Sequence, residues 1–285
     1  NVHRRAGLII DRGIDCTITG TIPLNAGTSS SSALPVAWVA FLLASQSGDV
    51  RHSRQDIAKF AHIAEVVEFG EPGGMMDHYT SAVGGLLYID CQKPITYEPL
   101  AAELSGVVLG DSGVSKKTKD TLRRSREAAN EGFRLLAEMI PGFDIRTTPI
   151  EQIDRYLDRL PEDAARVVRA QIIDRDLCRE ARRLLSRPQL DSDSQARLGE
   201  MLLEHQRQLR DGVGVSHPKL DELIDAAMGV GALGGKLNGS GMGGCMFAYA
   251  PGREAEVKAA LEAAGARAYI VSCTQGVRVN IERWL

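Results

Sequence analysis

Residues 33–45 carry Leu34, Val36, Ala37, Trp38, Val39, Phe41, Leu42 and Leu43, so a helix drawn through them is apolar nearly all round. Such a helix needs cover on every face and is expected inside a core. Pro35 falls in its first turns, where proline is tolerated because the missing N–H has no helical partner there. The chain is large enough to supply that cover. Its 285 residues are 44% hydrophobic, which suits one large domain or two modest ones without disulfide or metal staples.

The charge balance narrows the function classes. Charged residues make up 25%, and the formal net charge is -3. A nucleic-acid binder is expected to show a basic surplus, so that class is set aside. The cluster Arg123, Arg124 and Arg126 reads as a solvated helix face. The five cysteines, at 16, 91, 178, 245 and 273, are odd in number, widely spaced and without a CxxC pair. Reduced thiols in a cytoplasmic protein fit that pattern best. There is no apolar run of the ~18 residues a membrane helix needs, so no membrane role is expected. The first residues carry no signal peptide and no initiator Met, and the chain is expected to begin partway into a longer protein.

Element by element, a helix is predicted over 2–12, stopped by Gly13, and a β-branched strand over 15–22. A second long helix runs over 53–69 with Ser53 as N-cap. It is followed by a short helix at 75–83 and strands at 86–90 and 107–109. From 116 the chain turns helical, over 116–139, 149–159, 161–187, 192–211 and 217–229, punctuated by Pro141, Pro149, Pro161, Pro188 and Pro218. A glycine-rich turn at 239–244, a strand at 245–250, a helix at 253–264 and a strand at 268–273 complete it. The change in character near 100–115 marks the domain boundary, giving units 1–105 and 106–285.

Three segments carry chemistry. Between the first strand and the buried helix lies Pro23-Leu24-Asn25-Ala26-Gly27-Thr28-Ser29-Ser30-Ser31-Ser32-Ala33. A loop entering a helix presents unpaired backbone N–H groups and the positive end of the dipole, which favour an anion. Gly27 permits close approach, and the serine hydroxyls can meet phosphate oxygens or Mg²⁺. No Gly-Lys-Ser/Thr follows, so this is not a Walker A loop. A serine-rich turn that merely caps a core helix explains the same residues equally well.

The second segment holds Glu65 and, twelve residues later, Asp77, with Gly70-Glu71-Pro72-Gly73-Gly74 between them. An Asp beside a glycine-lined turn can orient or deprotonate a hydroxyl. A Glu can help hold Mg²⁺ with a serine and phosphate oxygens. Glu68 and Glu71 compete with Glu65 for that role, and a surface Glu with a turn Asp is the plainer alternative. In the third segment, six glycines fall among the eleven residues 234–244. Their entropic cost suggests backbone in contact with a ligand or another segment, Asn238 and Ser240 being possible donors, unless they only make a tight turn.

Taken together and in order, the three segments resemble the GHMP kinase family, which includes galactokinase, homoserine kinase, mevalonate kinase and phosphomevalonate kinase. Residues 23–33 resemble its second motif and 234–245 its third. Ala64-Glu65 with the stretch from Gly70 to Asp77 and His78 is similar to the galactokinase segment that ends in Met-Asp-Gln. His205 to Asp211 and Val215 to Asp221 are also galactokinase-like. The resemblance covers most of 15–280. It implies an α+β, two-domain GHMP kinase fold, with an N-terminal part like ribosomal protein S5 domain 2 and a ferredoxin-like C-terminal domain with added helices.

It also implies roles. Ala26, Gly27, Thr28, Ser29, Ser30, Ser31 and Ser32 would wrap the ATP phosphates. Ser31 and Glu65 would hold Mg²⁺. Asp77 would be the catalytic aspartate. Gly73, Gly74, Asp77, Gly239, Ser240, Gly241 and Gly243 would line the substrate. The implied cofactors are ATP and Mg²⁺, and the implied partner is a small-molecule sugar, for a monomer or homodimer. The implied reaction is γ-phosphoryl transfer to a sugar hydroxyl, first of all galactose to galactose 1-phosphate. Heptose, arabinose, N-acetylgalactosamine or mevalonate kinase activity, or a silent sugar/ATP sensor, are the alternatives.

The sequence departs from the pattern in places. The family's first motif and its upstream basic residue have no counterpart. His78 stands where galactokinases have Gln, and Asn25 and Thr28 differ from the commoner Gly and Leu. The segment 112–120 lacks the Tyr that touches sugar in galactokinases. Lys236 is closer to the mevalonate and heptose branches.

Overall fold

The computed structural model describes residues 2–10, 13–22, 28–46, 52–71, 73–116 and 119–280. The chain forms two compact units. The first contains the described residues up to Ala101 together with those from Cys273 onward, and the second spans Ala102–Ser272. The sequence reading put everything from 106 to the end in one unit. The tail instead pairs with the first unit, where Gly85 N–H donates to Thr274 O at 2.8 Å and Val277 N–H to Ser81 O at 3.0 Å.

The first unit opens with a single helical turn, α1 (Val2–Arg5). The helix predicted over 2–12 ends here because Gly7 adopts a left-handed φ of 76° and Leu8 N–H closes back on His3 O. The strand predicted over 15–22 is absent, and the described residues there are exposed without regular structure. Among the described residues no neighbouring strand pairs with them, and β-branched composition alone does not make a strand. Next come α2 (Ser30–Ser45), α3 (Arg54–His62), a π-helical turn Ile63–Val67 and α4 (Met76–Val83). Ser53 caps α3 in a reciprocal box with Asp56. A hairpin of β1 (Leu86–Asp90) and β2 (Thr96–Leu100) comes after α4, with Leu86 opposite Leu100.

The core of this unit joins Val36, Val39, Ala40 and Leu43 of α2 to Ile57, Ala58 and Ala61 of α3 and Tyr79 and Ala82 of α4. The expectation that α2 is covered all round needs correction. Leu34 is 49% and Trp38 38% exposed, so among the described residues only one face of α2 is packed.

The second unit is built on a four-stranded antiparallel sheet. Its strands are β3 (Val107–Asp111), β4 (Gly234–Leu237), β5 (Cys245–Tyr249) and β6 (Arg267–Val271), in the order β4-β5-β3-β6. The intervening helices are α5 (Lys119–Met139), α6 (Ile150–Ile153), α7 (Glu162–Leu185), α8 (Ser192–Arg207), α9 (Pro218–Gly229) and α10 (Glu254–Ala263). The helix predicted over 149–159 is one α turn followed by a 3-10 segment, and α8 runs on into a π-helical segment, Gln208–Val213.

Leu220, Leu223 and Leu261 from α9 and α10 pack with Leu237, Met246 and Val108 of the sheet. Each such side chain, fully buried, contributes roughly 1.5–3 kcal/mol. A second apolar cluster joins Leu136 and Ile140 to Ile153, Val168 and Ile172. Helices segregated from an antiparallel sheet make the fold α+β, as expected.

Candidate functional site

The phosphate-loop residues Ala26 and Gly27 lie outside the described residues. From Thr28 onward the geometry is defined. Ser29 sits at the N-cap of α2 with a left-handed φ of 56°, and its side chain makes no capping bond. Ser32 and Ala33 N–H both return to Ser29 O, at 3.1 and 2.9 Å. The amides of Ser30 and Ser31 therefore have no intrahelical acceptor, at the positive end of a sixteen-residue helix. Ser31 is exposed, whereas Ser32 is only 4% exposed. Among the described residues, burial makes Ser32 the least available of the predicted phosphate contacts.

Glu65 sits in the π-helical turn that continues α3. Such a turn widens the ladder by one residue and resets the phase of the residues downstream of it. Here Glu68 N–H bonds Ile63 O at 2.9 Å and Glu71 N–H bonds Val66 O at 3.0 Å. The chain then reverses through the glycines to α4. Gly73 lies hard against the turn, since a Cβ there would fall 2.8 Å from Val66 Cγ2, whereas one on Gly74 would meet nothing. Asp77 stands exposed in the first turn of α4, where a negative charge complements the helix dipole.

Beside Asp77, the His78 imidazole is 1% exposed. Its Nε2 lies 2.7 Å from Glu65 Oε2. A carboxylate has no hydrogen to give, so the imidazole donates. The His62 ring meets that of His78 edge-on, with centroids 5.2 Å apart. Burial and the neighbouring His78 hold the His62 pKa below its ordinary value, while a hydrogen bond to the Gly73 backbone and the charge of Glu65 oppose them. The turn from α3 to α4 thus gathers Glu65, Gly73, Asp77 and His78 in one segment. Sequence reasoning singled out the first three. It saw His78 only as a departure, because a buried pairing with Glu65 depends on the phase that the π turn sets.

Among the described residues, no group of three or more His, Cys, Asp or Glu side chains could hold a metal by itself. Glu65 Oε1 has no partner among them, and in the same unit the exposed Ser31 carries a hydroxyl. These are hard oxygen donors, and Mg²⁺ is ordinarily held by one or two carboxylates with phosphate oxygens and water. The donor set fits that ion.

In the second unit the glycine cluster is shaped by its own surroundings. Gly241 has φ 76°, and a Cβ there would lie 2.1 Å from Val215 O, while one on Gly243 would lie 2.7 Å from Val114 O. Met242 N–H donates to Val215 O at 2.7 Å and Gly244 N–H to Val114 O at 2.9 Å. Gly241 and Gly243 are buried by these neighbours, so of the four substrate-lining residues predicted in this loop the exposed Gly239 and the half-buried Ser240 remain open to a ligand. Lys116 Nζ reaches Ser240 Oγ at 3.4 Å.

The second unit also holds a polar cluster that sequence reasoning did not assemble. Asp174 of α7 lies 3.7 Å (Oδ2 to Nε2) from His205 of α8, and Lys236 of β4 acts on both. Burial pushes the Asp174 carboxyl from 3.8 up to about 7, against the pull of Lys236. Burial, helped by Lys236, holds His205 down at about 4. Lys236 itself falls from 10.5 to about 8, again through burial. Its ammonium donates to Leu237 O at 2.8 Å and lies 5.4 Å from the centre of the Phe247 ring.

Comparison with known proteins adds the family. Residues 1–85 match the model of the GHMP kinases N terminal domain, and 186–267 match that of the GHMP kinases C terminal. A mevalonate kinase of Pyrococcus horikoshii is 32% identical over 269 residues, covering 94% of this chain and 69% of the relative. A galactokinase of Streptomyces coelicolor is 32% identical over 272 residues, covering 90% of this chain and 67% of the relative. The structure of Lactococcus lactis galactokinase complexed with galactose superposes with a TM-score of 0.78 at 20% identity, over 96% of this chain and 73% of that one. That likeness shows the fold. No helix among the described residues is long and apolar enough to cross a membrane. The chain belongs to the GHMP kinase family, whose members are phosphotransferases that act on alcohol acceptors.

Proposed function

We propose that this chain transfers the γ-phosphoryl group of ATP to a hydroxyl of a small polar metabolite. The observation that carries the reading is the α3–α4 turn, which gathers Glu65 and Asp77 in the same unit as the open amides of Ser30 and Ser31. Phosphoryl transfer passes through a loose transition state, so positioning and charge neutralisation dominate its catalysis. The start of α2 receives phosphate oxygens. Glu65 and Ser31 would hold Mg²⁺, which when bound neutralises charge on the phosphates. Asp77 orients the acceptor hydroxyl and takes its proton.

For the acceptor we favour a galactose-type sugar. Met75-Met76-Asp77 is similar to the galactokinase pattern, and the chain is 32% identical to a galactokinase over 90% of its length. A second reading, mevalonate, is supported by 32% identity to a mevalonate kinase over 94% of its length. Lys236 does not add to it, because that side chain is turned to Leu237 O and Phe247.

An ATP-coupled assay with galactose, arabinose, N-acetylgalactosamine, heptose 7-phosphate and mevalonate separates the readings. Turnover confined to the sugars supports the first, and turnover confined to mevalonate replaces it with the second. ATP binding without turnover of any acceptor would leave a sensor as the better account.

A further inference from the structure

We propose that His78 is a positioning residue. Its imidazole fixes the Glu65 carboxylate through Oε2, so that Oε1 is presented to the metal. The proposal rests on the reading of Glu65 as a metal ligand and goes beyond it.

The geometry is specific. His78 Nε2 to Glu65 Oε2 is 2.7 Å, the length of a charge-assisted bond. The ring is buried, while the Glu65 side chain keeps 22% of its surface exposed. One partner is therefore anchored in the core and the other faces outward. His78 Nδ1 is buried with no partner. A polar ring with an unmet nitrogen packs worse than an aliphatic side chain of the same size. What the ring provides in return is the single hydrogen bond it makes, and that bond goes to Glu65. The His62 ring packs edge-on against the His78 ring at 88°, with centroids 5.2 Å apart. Metal-binding carboxylates are commonly held by such outer partners, which fix the rotamer before the ion arrives.

The chemistry makes a sharp distinction among substitutions. The Nε2 of Gln extends to the same distance along the side chain as the Nε2 of His, whereas Asn ends where His Nδ1 lies. His78→Gln can restore the bond to Glu65, and His78→Asn keeps an amide donor but cannot reach. The test measures Mn²⁺ binding in the presence of a non-hydrolysable ATP analogue by electron paramagnetic resonance of the free ion, after near-ultraviolet circular dichroism has established folding. Glu65→Gln is the reference. We expect Glu65→Gln to weaken Mn²⁺ binding about 10–100-fold, His78→Asn about 10-fold, and His78→Gln less than about threefold.

If Glu65→Gln binds Mn²⁺ as the wild type does, the metal role of Glu65 fails and the positioning role falls with it. If Glu65→Gln loses the metal while His78→Asn keeps it, the positioning role alone is overturned. Equal losses in His78→Gln and His78→Asn would also overturn it, because reach would not matter. Should His78→Asn fail to fold, the ¹⁵N resonance of His78 Nε2 in the wild type decides. It is expected to move when Mg²⁺ and the analogue are added together but not with the analogue alone, and an unmoved resonance overturns the proposal.

Discussion

A Cβ on Gly73 would come within 2.8 Å of Val66 Cγ2, closer than such atoms approach in folded proteins. The turn that delivers Asp77 is thus pressed against the turn that carries Glu65. Gly73→Ala is expected to force one of them aside, destabilising the protein by about 1–3 kcal/mol and raising the acceptor KM. Gly74→Ala meets open space at an ordinary φ and should leave stability nearly unchanged. Thermal unfolding of the pair checks this, and equal losses of stability from the two would refute it.

Asp77 has an exposed carboxylate in the first turn of α4. Asp77→Asn keeps the shape and removes the base. Turnover should fall about 10²–10⁴-fold, with nucleotide affinity little changed in calorimetric titration. Turnover near that of the wild type would remove Asp77 from the mechanism.

Gly241 combines φ 76° with a contact of 2.1 Å to Val215 O for any added Cβ. Gly241→Ala should therefore break the Met242–Val215 hydrogen bond and cost about 1–3 kcal/mol from the left-handed backbone alone. A urea denaturation midpoint equal to that of the wild type would contradict this packing account of the cluster.

Asp174 and His205 bring opposite pH dependences into the same cluster. An acid whose folded pKa is raised holds a proton that the unfolded chain has lost, so its contribution to stability falls as pH rises from 3.8 to about 7. A base whose folded pKa is lowered does the reverse, so the term from His205 rises between about 4 and 6.5. Lys236 adds a further rise between about 8 and 10.5. Asp174→Asn removes the falling term. The variant should therefore gain on the wild type steadily from pH 4 to 7 in urea midpoints, and a gap that narrows over that range would show the sign to be wrong.

Much of the fold was legible from residue types. The Ser53 cap, the amphipathic helices from 119 onward and the sheet strand at 245 follow from side chains that act locally. The strand expected at 15–22 failed because a strand is made by its neighbour, and none lies beside it among the described residues. β4 was hidden because Gly234 and Gly235 have poor strand propensity. They are kept there by close backbone contacts with Gly199 and Phe247. In the site, Glu65 and Asp77 could be picked out by spacing. The bond from His78 could not, because it depends on a π turn that no local propensity encodes. Equally hidden was the partition of the glycine loop, where Val114 and Val215, distant in sequence, decide which glycines a ligand can reach.

The second unit begins and ends on neighbouring strands. Val107 of β3 lies opposite Val271 of β6, and such partners have Cα atoms only about 4.5–5.5 Å apart. The first and last strands of the second unit thus bring its two ends side by side. The second unit acts as a clasp that closes itself, so the return of the tail to Gly84 and Gly85 does not depend on a long floating excursion. An insertion between its helices, or its wholesale exchange for that of a relative, would leave the two ends of the clasp where they are.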